Sequence, residues 1–146
     1  MLGKKELLSL LLLSFIILLG FNGCQTFGKF YTIQEVTQLH GPVLEKVAFS
    51  RSRFQKFLDK TDDLLMFTFK GNKLLIAGDG RKIIYPESAS IPPSDTLKVF
   101  SKSNIESLLN KGTADSVYVE KRSDTISITY NNSTLEQPDP CPPNCN

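Results

Sequence analysis

Residues 64–85 read LLMFTFKGNKLLIAGDGRKIIY, and this stretch decides the fold class. Three apolar runs, 64–69, 74–77 and 82–85, are separated by Lys70-Gly-Asn-Lys73 and by Gly78-Asp-Gly80. Each run is too short for a helix, and the breaks hold the residue types that tolerate a positive φ. Asp-Gly between two apolar runs is a hairpin cue. The spacing therefore predicts a three-stranded meander over 63–86.

Working outward toward the C-terminus, PESASIPPS (86–94) is too rich in proline and serine for regular structure and reads as a loop. Leu97 to Phe100 offers a strand. Ser103-Asn-Ile-Glu106 has the spacing of a capping box, Ile105, Leu108 and Leu109 form a buried stripe behind it, and Gly112 supplies a stop. Val117 and Val119, then Ile126, Ile128 and Tyr130, alternate with polar residues as half-buried strands do, with a turn at Lys121 to Asp124. After Asn131 the composition turns polar and proline-rich, which places the domain end there.

Toward the N-terminus, Thr32-Ile-Gln-Glu35 is a second capping-box spacing, with Ile33, Val36 and Leu39 at helical intervals before Gly41. Val43, Leu44, Val47, Phe54, Phe57 and Leu58 lie near one helical face, so a helix over much of 42–60 is one reading. A strand over Lys46–Ser50 followed by a shorter helix is the other, and both stay open. The pattern lacks regular βαβ alternation. It implies an α+β class: one small domain over 32–131, mainly antiparallel sheet, with two or three helices packed on one face.

The leader is MLGKKELLSLLLLSFIILLGFNGC. Lys4 and Lys5 form a basic start, and residues 7–21 have the length of a signal-peptide apolar region. As a helix they would span roughly 22 Å, short of the roughly 30 Å hydrocarbon core. Phe21-Asn22-Gly23-Cys24 then resembles the lipobox of bacterial lipoproteins, in the looser form of Bacteroidetes-type envelope lipoproteins. That resemblance implies cleavage after residue 23, diacylglycerol on the Cys24 sulfur, and a tether over 24–31. Stable anchoring needs more than one acyl chain, which a lipidated N-terminal cysteine provides. Gln25 after the cysteine implies an outer-membrane position, facing the periplasm in the absence of an acidic cluster over 25–34. Phe27 and Phe30 in the tether either meet the lipid interface or pack on the domain.

Without the leader, 123 residues and a net charge of +1 remain, enough for one domain. Lys and Arg are scattered, which argues against nucleic acid as a partner. No catalytic motif is present, and no cofactor or metal site is expected. The lone histidine, His40, sits at a helix end before Gly41-Pro42, where capping or solvent exposure is the ordinary role. Asp59, Asp62 and Asp63 lack the alternating spacing and distal glutamate of a calcium loop and read as a solvated helix exit. Glu87, Glu106 and Glu120 have no spacing that marks an acid–base pair. Asp95-Thr-Leu97, Asp115-Ser-Val117 and Asp124-Thr-Ile126 resemble the acceptor pattern of Bacteroidetes O-glycosylation, which implies Thr96, Ser116 and Thr125 as acceptors.

The last residues, 132–146, form a tail ending QPDPCPPNCN. With Cys24 lipidated, Cys141 and Cys145 are the remaining thiols in an oxidising compartment, and a disulfide between them is expected. An extended polyproline chain would hold their α-carbons about 12 Å apart, so the chain must turn, and Pro143-Asn144 suits a β-turn. Two function classes follow. One is a lipid-anchored envelope protein, attached to the membrane through Cys24, whose domain binds or supports another envelope protein. The other is a small periplasmic enzyme with a site assembled from scattered groups. A pocket where Asp79, Arg81, Tyr85 and Glu120 converge would mark the enzyme or a small-ligand binder; a filled core with an aromatic surface patch would mark the interaction protein.

Overall fold

The computed structural model describes residues 26–136 and, as backbone, 139–141. The strands are β1 (Lys29–Thr32), β2 (Glu45–Ser50), β3 (Leu64–Lys70), β4 (Lys73–Gly78), β5 (Lys82–Tyr85), β6 (Leu97–Ser101), β7 (Ser116–Lys121), β8 (Ile126–Tyr130), β9 (Ser133–Glu136) and β10 (Asp139–Cys141). The helices are α1 (Ile33–His40), α2 (Arg51–Leu58) and α3 (Lys102–Leu109). The chain is an α+β domain of two antiparallel sheets, ordered β1-β9-β8-β7-β2 and β10-β6-β3-β4-β5.

The meander forms as its spacing predicts, as β3, β4 and β5, with Gly71 and Gly80 at positive φ in the turns. The segment left open resolves as strand plus short helix. Residues 45–50 pair along their full length with β7, Val47 opposite Val119 and Phe49 opposite Val117. Ser50 then caps α2, its hydroxyl accepting from the Arg53 amide at 3.2 Å. The Thr32–Glu35 capping box is present, with Glu35 Oε2 accepting from the Thr32 amide at 2.7 Å. The second capping box does not form. α3 begins two residues earlier than the Ser103 reading requires, with Ser101 at the cap. The Ser101 hydroxyl makes no cap bond because it accepts from the Phe27 amide at 2.6 Å.

The folded unit is wider than the sequence boundaries. β1 lies within the expected tether, and β9 within the expected tail; Thr134, Leu135 and Glu136 are buried. Nor do the helices gather on one face. The inner faces of both sheets share one core, in which Phe67, Ile76 and Phe100 meet Val119, Ile128 and Leu135. α2 adds Phe54, Phe57 and Leu58 to it, and α3 adds Ile105, Leu108 and Leu109. α1 instead lies over the outer, polar face of the first sheet, held by Val36 and by polar contacts. The outer face of the second sheet (Leu64, Met66, Ala77, Leu97 and Val99) is covered by Phe27 and Ile91.

The order of elements repeats. β2-α2-β3-β4-β5 and β6-α3-β7-β8-β9 are two copies of strand, helix and three-stranded meander. Phe49-Ser50-Arg51-Ser52 recurs as Phe100-Ser101-Lys102-Ser103. The hydrogen bonds recur with them: Arg51 N donates to Asp115 O and Lys102 N to Asp63 O, both at 2.8 Å. Each copy sends its first strand into the other copy's sheet, β2 onto β7 and β6 onto β3. The exchange links the two copies through main-chain bonds within each sheet.

Candidate binding groove

The aromatic residues of β2, α2 and β5 build one site. Phe49 ends β2 and packs edge-on against Phe57 of α2, with ring centroids 5.1 Å apart, and against Tyr85 of β5 at 5.3 Å. Phe49 and Phe57 are buried, while Tyr85 stays half-buried at the edge. Arg53, one turn into α2, lies with its guanidinium carbon 5.2 Å from the Tyr85 ring centre and 5.7 Å from that of Phe49. Such stacking holds a cation over an aromatic face at about 0.5–1 kcal/mol when exposed.

Above this floor opens a groove of about 770 Å³, walled by α2 on one side and by Ile84 to Ser88 on the other. Arg53, Lys56 and Lys60 line the α2 wall, and Glu87 faces them, 2.9 Å from Lys60 Nζ. Lys60 holds the Glu87 carboxyl below its ordinary value through that hydrogen bond and its charge. A neighbouring hollow of about 320 Å³ shares Lys60, Ile84 and Glu87 and adds Lys82. Four cations against one carboxylate make this a site for an anionic group, with an aromatic platform beneath it. The hydroxyls of Ser50, Ser52 and Ser88 supply uncharged polar groups at its rim.

The residues considered for an enzyme do not come together. Asp79 is a clamp on the chain: its carboxylate accepts from Thr61 Oγ1 at 2.6 Å and from the amides of Asp62, Asp63 and Leu64 at 2.7, 3.1 and 2.9 Å. Burial pushes its pKa up, but the bonds from Thr61 and the three amides prevail and hold it below the ordinary value. Gly78 permits that approach, because a β-carbon there would stand 2.7 Å from Thr61 Oγ1. Arg81 donates to the carbonyls of Pro92 and Asp95, pinning the loop. Tyr85 lies in the groove, and Glu120 lies on the outer face of the first sheet. Of the three aspartates after α2, Asp62 and Asp63 serve Asp79 through their amides and Asp59 caps the helix. Among the described residues no cluster of ligands could hold a metal ion.

His40 is more engaged than its position in the sequence implied. Its Nδ1 lies 3.0 Å from Asp124 Oδ1, and its Nε2 lies 3.1 Å from Glu136 Oε2, the latter without hydrogen-bond alignment. Both ring nitrogens thus face carboxylates. Ser123 Oγ reaches the His40 carbonyl, not the ring, so no hydroxyl is placed for activation by this imidazole. The hydrogen bond from His40 is the main cause holding the Asp124 carboxyl below its ordinary value. Beside them, Arg122 (2 % exposed) bonds Glu120 at 3.3 Å and the Gly41 carbonyl at 2.6 Å, and Thr129 bonds Glu120 at 2.9 Å. This polar layer fastens α1 to the sheet.

Comparison with family models, with curated proteins and with solved structures yields no match for the chain. Among the residues implied as glycan acceptors, Thr96 is exposed and Ser116 half-buried at the start of β7. Thr125 is buried and donates to Glu136 Oε1 at 2.7 Å, so its hydroxyl is already in use. Thr96 and Thr125 line one hollow of about 340 Å³ with Lys98, Lys121 and Asp124. Glu106 lies on α3, away from Glu87 and Glu120. Cys24 and Cys145, and the side chain of Cys141, lie outside the described residues, as does their expected chemistry. The groove residues Arg53, Lys56 and Lys60 were missed because scattered lysines carry no signal until a helix aligns them. The recurrence of Phe-Ser-Arg/Lys-Ser was the available clue.

Proposed function

We propose that this chain is a lipid-anchored cell-envelope protein, tethered through acylated Cys24 to the outer membrane on its periplasmic side, whose domain works by binding a partner. The observation that supports binding is the cation-lined groove over the Phe49–Phe57–Tyr85 floor. The engaged state of His40, Asp79 and Glu120 weighs against the enzyme reading. In this reading β1 begins at Lys29, a few residues beyond the lipid, so the domain stays close to the membrane. The cysteine pair closes the tail as a disulfide, and Thr96 and Ser116 are the acceptors accessible to a glycan.

The test is site-specific photo-crosslinking in intact cells, with the reactive residue at Ser88 in the groove or at Glu106 as a control. An adduct with an envelope component formed from position 88 and absent from position 106 supports binding; equal yields from both positions refute it. The anchor is tested by palmitate labelling with and without globomycin beside Cys24→Ala. Labelling that survives the substitution overturns the lipid assignment.

A further inference from the structure

The internal repeat shows what the groove is built to hold, because its counterpart on the other copy is filled. By the repeat, Ser50, Arg53, Lys60 and Tyr85 correspond to Ser101, Asn104, Lys111 and Leu135. Those four residues hold the N-terminal segment Phe27–Thr32. Ser101 Oγ accepts from the Phe27 amide, and Asn104 Nδ2 donates to the carbonyls of Phe27 and Gly28, both at 3.1 Å. Lys111 Nζ stands 3.9 Å from the Phe30 ring centre. Gly28 passes so close that a β-carbon would meet Leu135 and Phe100 at 3.0 Å. β1 then pairs antiparallel with β9, Phe30 opposite Leu135, and closes the seam between the sheets.

Among the described residues, the same seam on the first copy is open. β5 corresponds to β9 but is the last strand of its sheet, and β2 corresponds to β6 but is the last strand of the other. A free strand edge beside a groove is a template for strand addition. Charge identifies the occupant. Asn104 and Leu135 are replaced here by Arg53 and Tyr85, and Lys56 and Lys82 add further cations. The chain's own Phe27–Thr32 segment carries Lys29 and no acid, so it does not complement this groove.

Resting on the binding reading above, we propose that the groove takes an extended, acid-bearing segment of a partner protein, which adds antiparallel to the free edge of β5 as β1 adds to β9. Arg53 would donate to main-chain carbonyls where Asn104 does in the filled seat. A carboxylate at the position of Phe30 would meet Lys60, as the Phe30 ring meets Lys111.

The probe is a labelled hexapeptide, Phe-Gly-Glu-Glu-Tyr-Thr, which is the 27–32 segment with Lys29→Glu and Phe30→Glu. Its binding to the full lipidated chain in detergent micelles is read by fluorescence anisotropy. Saturable binding is expected, with loss of about tenfold or more in affinity in a Lys56→Glu/Lys60→Glu variant whose urea unfolding matches the parent. The same peptide N-methylated along its backbone is expected not to bind. No saturation up to about 1 mM, the weak end of useful affinities, overturns the proposal. So does undiminished binding of the N-methylated peptide, which would exclude strand addition. Equal or tighter binding of the unmodified 27–32 peptide overturns the acidic partner in favour of a second copy of this chain. A photo-adduct at position 88 with glycan or lipid, together with no peptide binding, would keep the binding reading and remove this one.

Discussion

Replacing Asp79 by asparagine isolates the clamp that sets the entry to β3. The carboxylate uses Oδ1 for the Leu64 amide and Oδ2 for Thr61 and the amides of Asp62 and Asp63. An asparagine must turn its NH₂ toward one of these two sets. The cheaper orientation keeps the carbonyl at the Oδ2 place and sets the NH₂ against the Leu64 N–H. That loses one charge-assisted bond and weakens three others, while Thr61 retains its second acceptor, the Leu64 carbonyl at 2.7 Å. A hydrogen bond to a charged group contributes about 1.5–3 kcal/mol, and the exposed amides of Asp62 and Asp63 can turn to water. The expected cost is therefore about 2 kcal/mol, or about 6–10 °C in Tm for a domain of this size.

The cost should depend on pH. Asp79 is held below its ordinary value of 3.8 in the fold, so its contribution is complete above that value and is lost as pH falls through the folded pKa. Urea unfolding of parent and Asp79→Asn, followed by circular dichroism at a series of pH values, should show a wide gap near neutrality that narrows below about pH 4. A gap under about 0.5 kcal/mol at neutral pH, within the scatter of surface substitutions, would refute the clamp. A gap unchanged down to low pH would assign the loss to shape instead of charge.

Three further outcomes are expected. Arg122→Met leaves Glu120 buried without its cation and should cost about 3–5 kcal/mol, much of it recovered by adding Glu120→Gln, as a double-mutant unfolding cycle would read. Gly28→Ala sets a β-carbon at φ 105° and 3.0 Å from Leu135 and Phe100, so it should free β1 from β9; amide exchange would rise across residues 29–32 while the β3–β4 amides keep their protection. His40→Ala removes the imidazole facing Glu136, which is 1 % exposed, and should lower stability by about 1–3 kcal/mol; thermal melts that coincide with the parent would discount that pair.

The meander at 63–86 and the Thr32–Glu35 cap were legible in the sequence because their causes are local. Alternating apolar runs, glycines able to take positive φ, and a hydroxyl three residues from a glutamate act within a few residues of chain. Residues 45–50 were not legible, because their pattern fits a helix face until β7, about seventy residues on, offers an edge to pair with. The cap at Ser103 failed for a related reason. A hydroxyl that could serve the helix, on Ser101, is taken by Phe27 from far along the chain. The domain's ends were set too narrow because β1 and β9 are short strands whose partners, each other and β8, are met only in the fold, where β9 becomes buried.

The sequence by itself determined where the turns fall and which residues are apolar enough to form a core. It also held the repeat of Phe-Ser-Arg/Lys-Ser, fifty-one residues apart. Only the tertiary structure decided that the two copies exchange first strands, so that one seam is sealed by β1 and the other, among the described residues, stays open beside β5. That difference is one of strand neighbours, and a neighbour is a property of distance in space. Arg53, Lys56 and Lys60 became a site only when α2 set them along that open edge.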